Sequence, residues 1–186
     1  MKHVIAVILF AILLNGCDRN ENPIDNVLNL RNNILSSNGT NFSAFITADY
    51  QDAIYTFELA CSEDKEGNLS FTVNAPKSIA GITGILTDDQ YALTFDDKVL
   101  AFPPLSDGEI SPVAAPYIFM KALRSGYVSG CESEGDGYCI YIDDSFLNNQ
   151  MHIQVISDIN MIPVRAEIIC NNFRVLSLDI SNFAFL

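Results

Sequence analysis

From Phe42 onward the chain is cut into short apolar runs by turn chemistry, at spacings that leave no room for crossover connections. Phe42 to Tyr50 alternates, with Phe42, Ala44, Ile46, Ala48 and Tyr50 on one face, and Ile54 to Cys61 begins three residues later. The turn Glu66-Gly67-Asn68 leads into Leu69–Ala75. Ile82–Leu86, Tyr91–Phe95 and Val99–Phe102 follow, divided at Asp88-Asp89 and Asp96-Asp97. A parallel neighbour needs a crossover of about a dozen residues or more, so these runs read as antiparallel strands of a meander. Pro103-Pro104 breaks the series. After an interruption the β pattern resumes at Tyr127–Cys131, Cys139–Asp143, Met151–Ser157, Ile162–Cys170 and Phe173–Phe185.

Two helical stretches accompany the strands. Pro23 opens the first, which runs to about Ser36, with Ile24, Val27, Leu28, Leu30, Ile34 and Leu35 forming a broad apolar face. Asn38-Gly39-Thr40 stops it. Ser111 begins the second, with Pro112 suited to a first turn. Pro116 would cost a hydrogen bond inside a helix, so the regular part is expected to start there. Phe119, Met120, Ala122 and Leu123 make its apolar stripe and Gly126 ends it. With no internal repeat and no low-complexity linker, residues 24–186 form one domain of the α+β class.

The first seventeen residues, MKHVIAVILFAILLNGC, have the parts of an export signal. Lys2 supplies a positive end, and Val4 to Leu14 is an apolar run too short to span a bilayer. Leu14-Asn15-Gly16-Cys17 resembles a bacterial lipobox, with Asn15 the less usual occupant. That resemblance implies a signal peptide over residues 1–16 and cleavage before Cys17. Diacylglycerol, often with a further N-acyl chain, would then sit on Cys17. Two or more chains, at about 0.8 kcal/mol per buried CH₂, make a lasting anchor. Residues 17–23 would be a short tether, holding the domain on the extracytoplasmic face of the cytoplasmic membrane.

All 23 acidic side chains lie beyond Cys17, against nine of the ten Lys and Arg, so the mature charge is about −14. This argues against nucleic acid as a partner and against a basic patch on anionic lipid. Four cysteines remain after Cys17. Outside the cytoplasm an even number suggests two disulfides, expected as Cys131–Cys139 and Cys61–Cys170, with free thiols as the alternative.

Catalytic chemistry is sparse. His152 is the single histidine after the signal, which excludes sites needing two or three imidazoles. It falls in an alternating run, where an outward strand residue is the simplest role. Neither a glycine-rich phosphate loop nor a G-x-S-x-G elbow occurs. Asp88-Asp89, Asp96-Asp97 and Asp143-Asp144 lie at strand ends, where adjacent side chains diverge and serve turns better than paired acid–base work. Glu132 to Asp143 spaces acids partly like a calcium loop, but Glu opens it, Asp closes it and β runs flank it. The expectation is a disulfide-closed acidic hairpin with no metal, no cofactor and no enzyme activity.

The order of elements resembles the lipoprotein-carrier superfamily typified by LolA and LolB. The likeness is carried by Asn41-Phe42-Ser43-Ala44-Phe45, by Ile110-Ser111-Pro112, by Ile162-Pro163-Val164-Arg165-Ala166-Glu167-Ile168, and by Ile180-Ser181-Asn182-Phe183-Ala184-Phe185. It implies an incomplete antiparallel barrel wrapping an N-terminal helix and an inserted helix. The concave apolar face would receive a lipid or lipoprotein acyl chain. Ile46, Phe57, Phe71, Phe95, Phe119 and Ile168 are its candidate lining. The lipidated members also resemble GerS, implying the alternative of a self-filled groove and a protein partner in the envelope or spore cortex. A carrier must be soluble to shuttle, whereas this chain reads as anchored. In a cell with two membranes, Asp18 resembles an inner-membrane retention signal.

Overall fold

The computed structural model of the chain describes residues 23–50, 53–95, 98–101, 105–106, 109–143 and 151–186. The expected signal, Cys17, Asp18 and all of the expected tether but Pro23 lie outside them.

Helix α1 spans Pro23–Ser36, with proline at its first position and Asp25 in its first turn, both suited to a helix N-terminus. Only Val27, Leu30 and Ile34 are buried, a narrow stripe at helical spacing. Ile24, Leu28 and Leu35, expected on the same apolar face, remain 37%, 49% and 47% exposed. At its C-terminus the Ser37 hydroxyl donates to the Ile34 carbonyl at 2.9 Å. Gly39 then turns the chain at φ +145°, where a Cβ would stand 2.2 Å from the Glu63 carbonyl oxygen.

Strands β1 (Gly39–Asp49), β2 (Ile54–Asp64), β3 (Leu69–Ala75), β4 (Thr83–Leu86), β5 (Tyr91–Phe95) and β6 (Lys98–Ala101) form the expected meander. A two-residue-strand hairpin, β7 (Leu105–Ser106) with β8 (Glu109–Ile110), follows. A 3₁₀ turn at Pro112–Ala114 then leads into helix α2, Ala115–Ser125, with Pro116 in its first turn as the missing N–H requires. The last block is β9 (Tyr127–Glu134), β10 (Gly137–Asp143), β11 (Met151–Asp158), β12 (Pro163–Cys170) and β13 (Phe173–Phe185).

Eleven strands make one antiparallel sheet in the order β6-β5-β4-β3-β2-β1-β13-β12-β11-β10-β9. Its two ends, β6 and β9, do not pair, so the barrel is open, as expected. The seam lies at its centre, where β1 pairs with β13 from Thr40 opposite Phe185 to Ala48 opposite Leu176. Alternation sends Ala44, Ile46 and Ala48 of β1 to the concave side, together with Leu176 and Leu178 of β13 and Ala166 and Ile168 of β12. The small alanines leave depth for a helix. Helix α2 occupies it, burying Ala115 through Met120, Ala122 and Leu123, nearly its whole circumference.

Candidate functional site

The candidate lining residues that are described meet in one core, but unevenly. Ile46, Phe119 and Ile168 are fully buried and Phe71 nearly so, all within one continuous cluster. The Phe119 ring meets the Phe42 ring edge-on, with centroids 5.9 Å apart. The Phe71 ring lies over Gly84, where a Cβ would stand 2.3 Å from it. Phe57 is half-buried against the same cluster. The Phe95 side chain lies outside the described residues. Where α2 covers the sheet, these residues are packed core.

Beyond the two helices, part of the concave face is left exposed among the described residues. Tyr55 stands opposite Ala48 and Phe57 opposite Ile46, so both point inward, yet Tyr55 is 51% exposed. Leu93 stands opposite Gly84 and Leu100 opposite Leu93, on the same face, and Leu100 is 65% exposed. The flank formed by β2, β5 and β6 thus carries apolar side chains continuous with the core and open to solvent.

Three polar clamps hold α2 in place, none of them among the sequence expectations. Arg31 of α1 donates from Nε to the Leu123 carbonyl and from Nη2 to the Gly126 carbonyl, each at 2.7 Å. A cation thus caps the negative end of α2. Gly126 is tightly placed, since a Cβ there would lie 2.4 Å from Ile142. On a second side Arg124 donates to the Lys65 carbonyl at 2.8 Å and lies 3.6 Å from the buried Glu63 carboxylate. Burial pushes the Glu63 carboxyl up to about 7, against the opposing pull of Arg124 and a hydrogen bond from Thr40. On the third side the Tyr117 hydroxyl donates to Asp88 at 2.9 Å and the Lys121 ammonium pairs with the same carboxylate. Those two hydrogen bonds hold Asp88 below its ordinary range. The Asp88-Asp89 turn therefore does anchor a strand end, and it also fastens the helix. The one sequence signal for the clamps was Arg31, a long cation beside an apolar stripe.

The expected disulfides do not form: Cys61, Cys131, Cys139 and Cys170 are all free. Cys131 stands opposite Ile140 and points inward, whereas Cys139 stands opposite Glu132 and points outward. The hairpin is acidic as expected, but strand pairing closes it up to Glu134 opposite Gly137. Cys61 pairs at the level of Phe42 near one end of the β1–β13 seam, whereas Cys170 stands opposite Phe173 at the other end of β13. Roughly ten residues of strand, about 30 Å at the rise of an extended chain, separate these levels, far beyond the reach of an S–S bond.

His152 stands opposite Asp143 on the outer face, its Nδ1 2.5 Å from the Asp143 carboxylate, both side chains part-exposed. Asp144, Asp96 and Asp97 lie outside the described residues. Among those described, no cluster of three or more His, Cys, Asp or Glu is arranged to hold a metal ion.

Two surface concavities are found among the described residues. A shallow one of about 590 Å³ lies over β1–β4, among the small side chains Ser43, Ala60, Ser62, Ser70, Thr72 and Thr83. A cleft of about 300 Å³ separates α1 from the β11–β12 turn. Asn26, Asn29 and Asn33 line one wall, and Tyr138, Asn160 and Phe185 face them.

An open antiparallel half-barrel holding two helices is a fold that this chain shares with solved structures. A domain from Vibrio parahaemolyticus described as an outer membrane lipoprotein-sorting protein shares it. The alignment covers 88% of this chain and 92% of that one, at 9% identity and a TM-score of 0.50. A LolA superfamily protein from Nitrosomonas europaea aligns over 89% and 94%, at 10% identity and a TM-score of 0.46. The structure of the CwlD amidase from Clostridioides difficile in complex with the GerS lipoprotein contains a chain aligned over 91% and 99%, at 11% identity and a TM-score of 0.45. The sequence matches no protein-family profile and no curated protein sequence. At such identities the likeness is one of fold, and no residue role is transferred.

Proposed function

We propose that this chain is a membrane-anchored envelope lipoprotein whose domain binds an acyl chain, of a lipid or of another lipoprotein, without catalysis. The observation that carries this reading is the uncovered flank of the concave face. Tyr55, Phe57, Leu93 and Leu100 give an apolar surface that continues the core and that no helix among the described residues covers. Apolar surface of this kind, shaped concave and bordered by a packed wall, suits an extended hydrocarbon chain. Lipid on Cys17 would supply the anchor. Among the described residues no helix is long and apolar enough to cross a membrane.

A second reading, a protein-interaction module, is favoured by the other half of the same face. There α2 fills the groove that a larger ligand would need, and Phe119 and Ile168 are wholly buried. Native mass spectrometry of the mature domain, made with Cys17→Ala so that it carries no lipid of its own, separates the two. Co-purifying lipid that is lost in a Leu100→Lys variant supports acyl binding. A lipid-free domain that recovers a stable protein complex from envelope extract would overturn it in favour of the second reading. Acyl labelling of the full chain, abolished by Cys17→Ala, tests the anchor independently.

A further inference from the structure

We infer that the exposed apolar stripe of α1 rests on the bilayer surface, so that the domain lies against its membrane instead of swinging from the tether. This inference rests on the reading of Cys17 as the lipidated residue.

At 100° per residue Ile24, Leu28 and Leu35 fall within about 40° of one another on the helix surface. All three are between a third and a half exposed, beside the buried stripe of Val27, Leu30 and Ile34. Scattered single apolar residues on a surface need no explanation, but three aligned on one helix describe a contact face. The one cation among them, Arg31, spends its guanidinium on the Leu123 and Gly126 carbonyls and is turned away from that face. The opposite flank of the helix is polar, with Asn26, Asn29 and Asn33 at the cleft. The helix therefore has three sides: a core stripe, an amide wall and an apolar outer stripe.

The occupant of the outer stripe follows from the chain that precedes it. Pro23 is six residues after Cys17. Even fully extended, six residues span only about 20 Å, so lipid on Cys17 keeps the first turn of α1 within that distance of the headgroups. Ile24 and Leu28 lie in the first two turns. With a mature charge of about −14, electrostatic attraction to an anionic surface cannot hold the domain down. Asp25 is the only acid of α1. A short stretch with few carboxylates, apolar on one side and tethered to the membrane at one end, is suited to the boundary between headgroups and acyl chains.

The chain contains no tryptophan, so a single introduced indole reports its own surroundings. Leu28→Trp puts it on the stripe, and Asn29→Trp puts it about 100° away on the amide wall. The lipidated full chain carrying either substitution is reconstituted into vesicles of phosphatidylethanolamine and phosphatidylglycerol, with and without brominated acyl chains. Acylation of Cys17 is verified first by label incorporation. The expected result is a blue-shifted Leu28→Trp emission that brominated lipid quenches at least twofold more than Asn29→Trp. Equal quenching of the two positions on acylated protein overturns membrane seating and leaves the anchor standing. A blue shift without bromine quenching also overturns it, by assigning the stripe to a second copy of the chain or to its own preceding segment. Absence of acyl label overturns the anchor and the seating together.

Discussion

The two halves of the sheet were built from the same alternating pattern and ended differently. In β10 to β13, inward residues such as Ile140, Ile153, Ile168 and Leu178 are buried to completion or nearly so. In β2, β5 and β6, inward residues such as Tyr55 and Leu100 stay half or more exposed. Strand length contributes, since β4 to β6 run only four or five residues whereas β13 runs thirteen. The larger cause is the helices. Helix α1 packs on β9 and β1, and α2 packs on β10, β12 and β13. Alternation decides which side of a strand is apolar; a covering layer decides whether that side becomes core or binding surface.

The contrast can be tested directly. Phe119→Ala empties the centre of the covered half and is expected to cost about 3–5 kcal/mol in urea unfolding, the usual range for a buried phenylalanine. Arg31→Ala leaves the α2 carbonyls of Leu123 and Gly126 without their cation. It should cost about 1.5–3 kcal/mol, as hydrogen bonds from charged groups do. If Arg31→Ala is silent, α2 is held by packing and by its other two clamps without help from Arg31.

Glu63→Gln sharpens the picture through pH. The Glu63 carboxyl titrates near 7 in the fold against about 4.5 in the open chain, so the native state holds its proton more tightly. Stability from this group is full below about 4.5 and is lost as pH rises through about 7. The urea midpoint of the variant should match that of the parent at pH 4 and exceed it at pH 8. A parent stability that does not fall over this interval would show the Arg124 pairing to dominate. The smallest effect belongs to the open flank: Leu100→Ala should change stability by less than about 0.5 kcal/mol, as surface substitutions do. A loss comparable to that of Phe119→Ala would erase the distinction between the halves.

The main strands and the two helices were legible because hydrophobic periodicity and turn residues are local signals, whereas the open barrel was expected only from the family resemblance. What eluded the sequence depended on register and on covering layers. Cys131 and Cys139 show this best. The two-residue turn at Gly135-Asp136 pairs Glu134 with Gly137 and so sets Cys131 opposite Ile140. A turn one residue longer would have set the two cysteines face to face, because a single slip moves every side chain to the other side. On α1, Ile24 and Leu28 share the apolar character of Val27 and Leu30, and no composition rule tells which of them a neighbour will cover. Of the candidate groove residues, Ile46, Phe71, Phe119 and Ile168 are buried in the core. That α2 itself would be the occupant depended on Arg31, Arg124 and Tyr117 reaching partners 29 to 95 residues distant.

The β1–β13 seam has a consequence for the order of assembly. The strand that opens the sheet pairs on one side with its immediate successor, but on the other side with the strand synthesised last. Until β13 is available, β1 presents an unpaired edge and the α2 side of the core has no floor. Contacts of such long sequence separation are slow to form. A chain with this wiring cannot close the floor of its core until its thirteenth strand has been made.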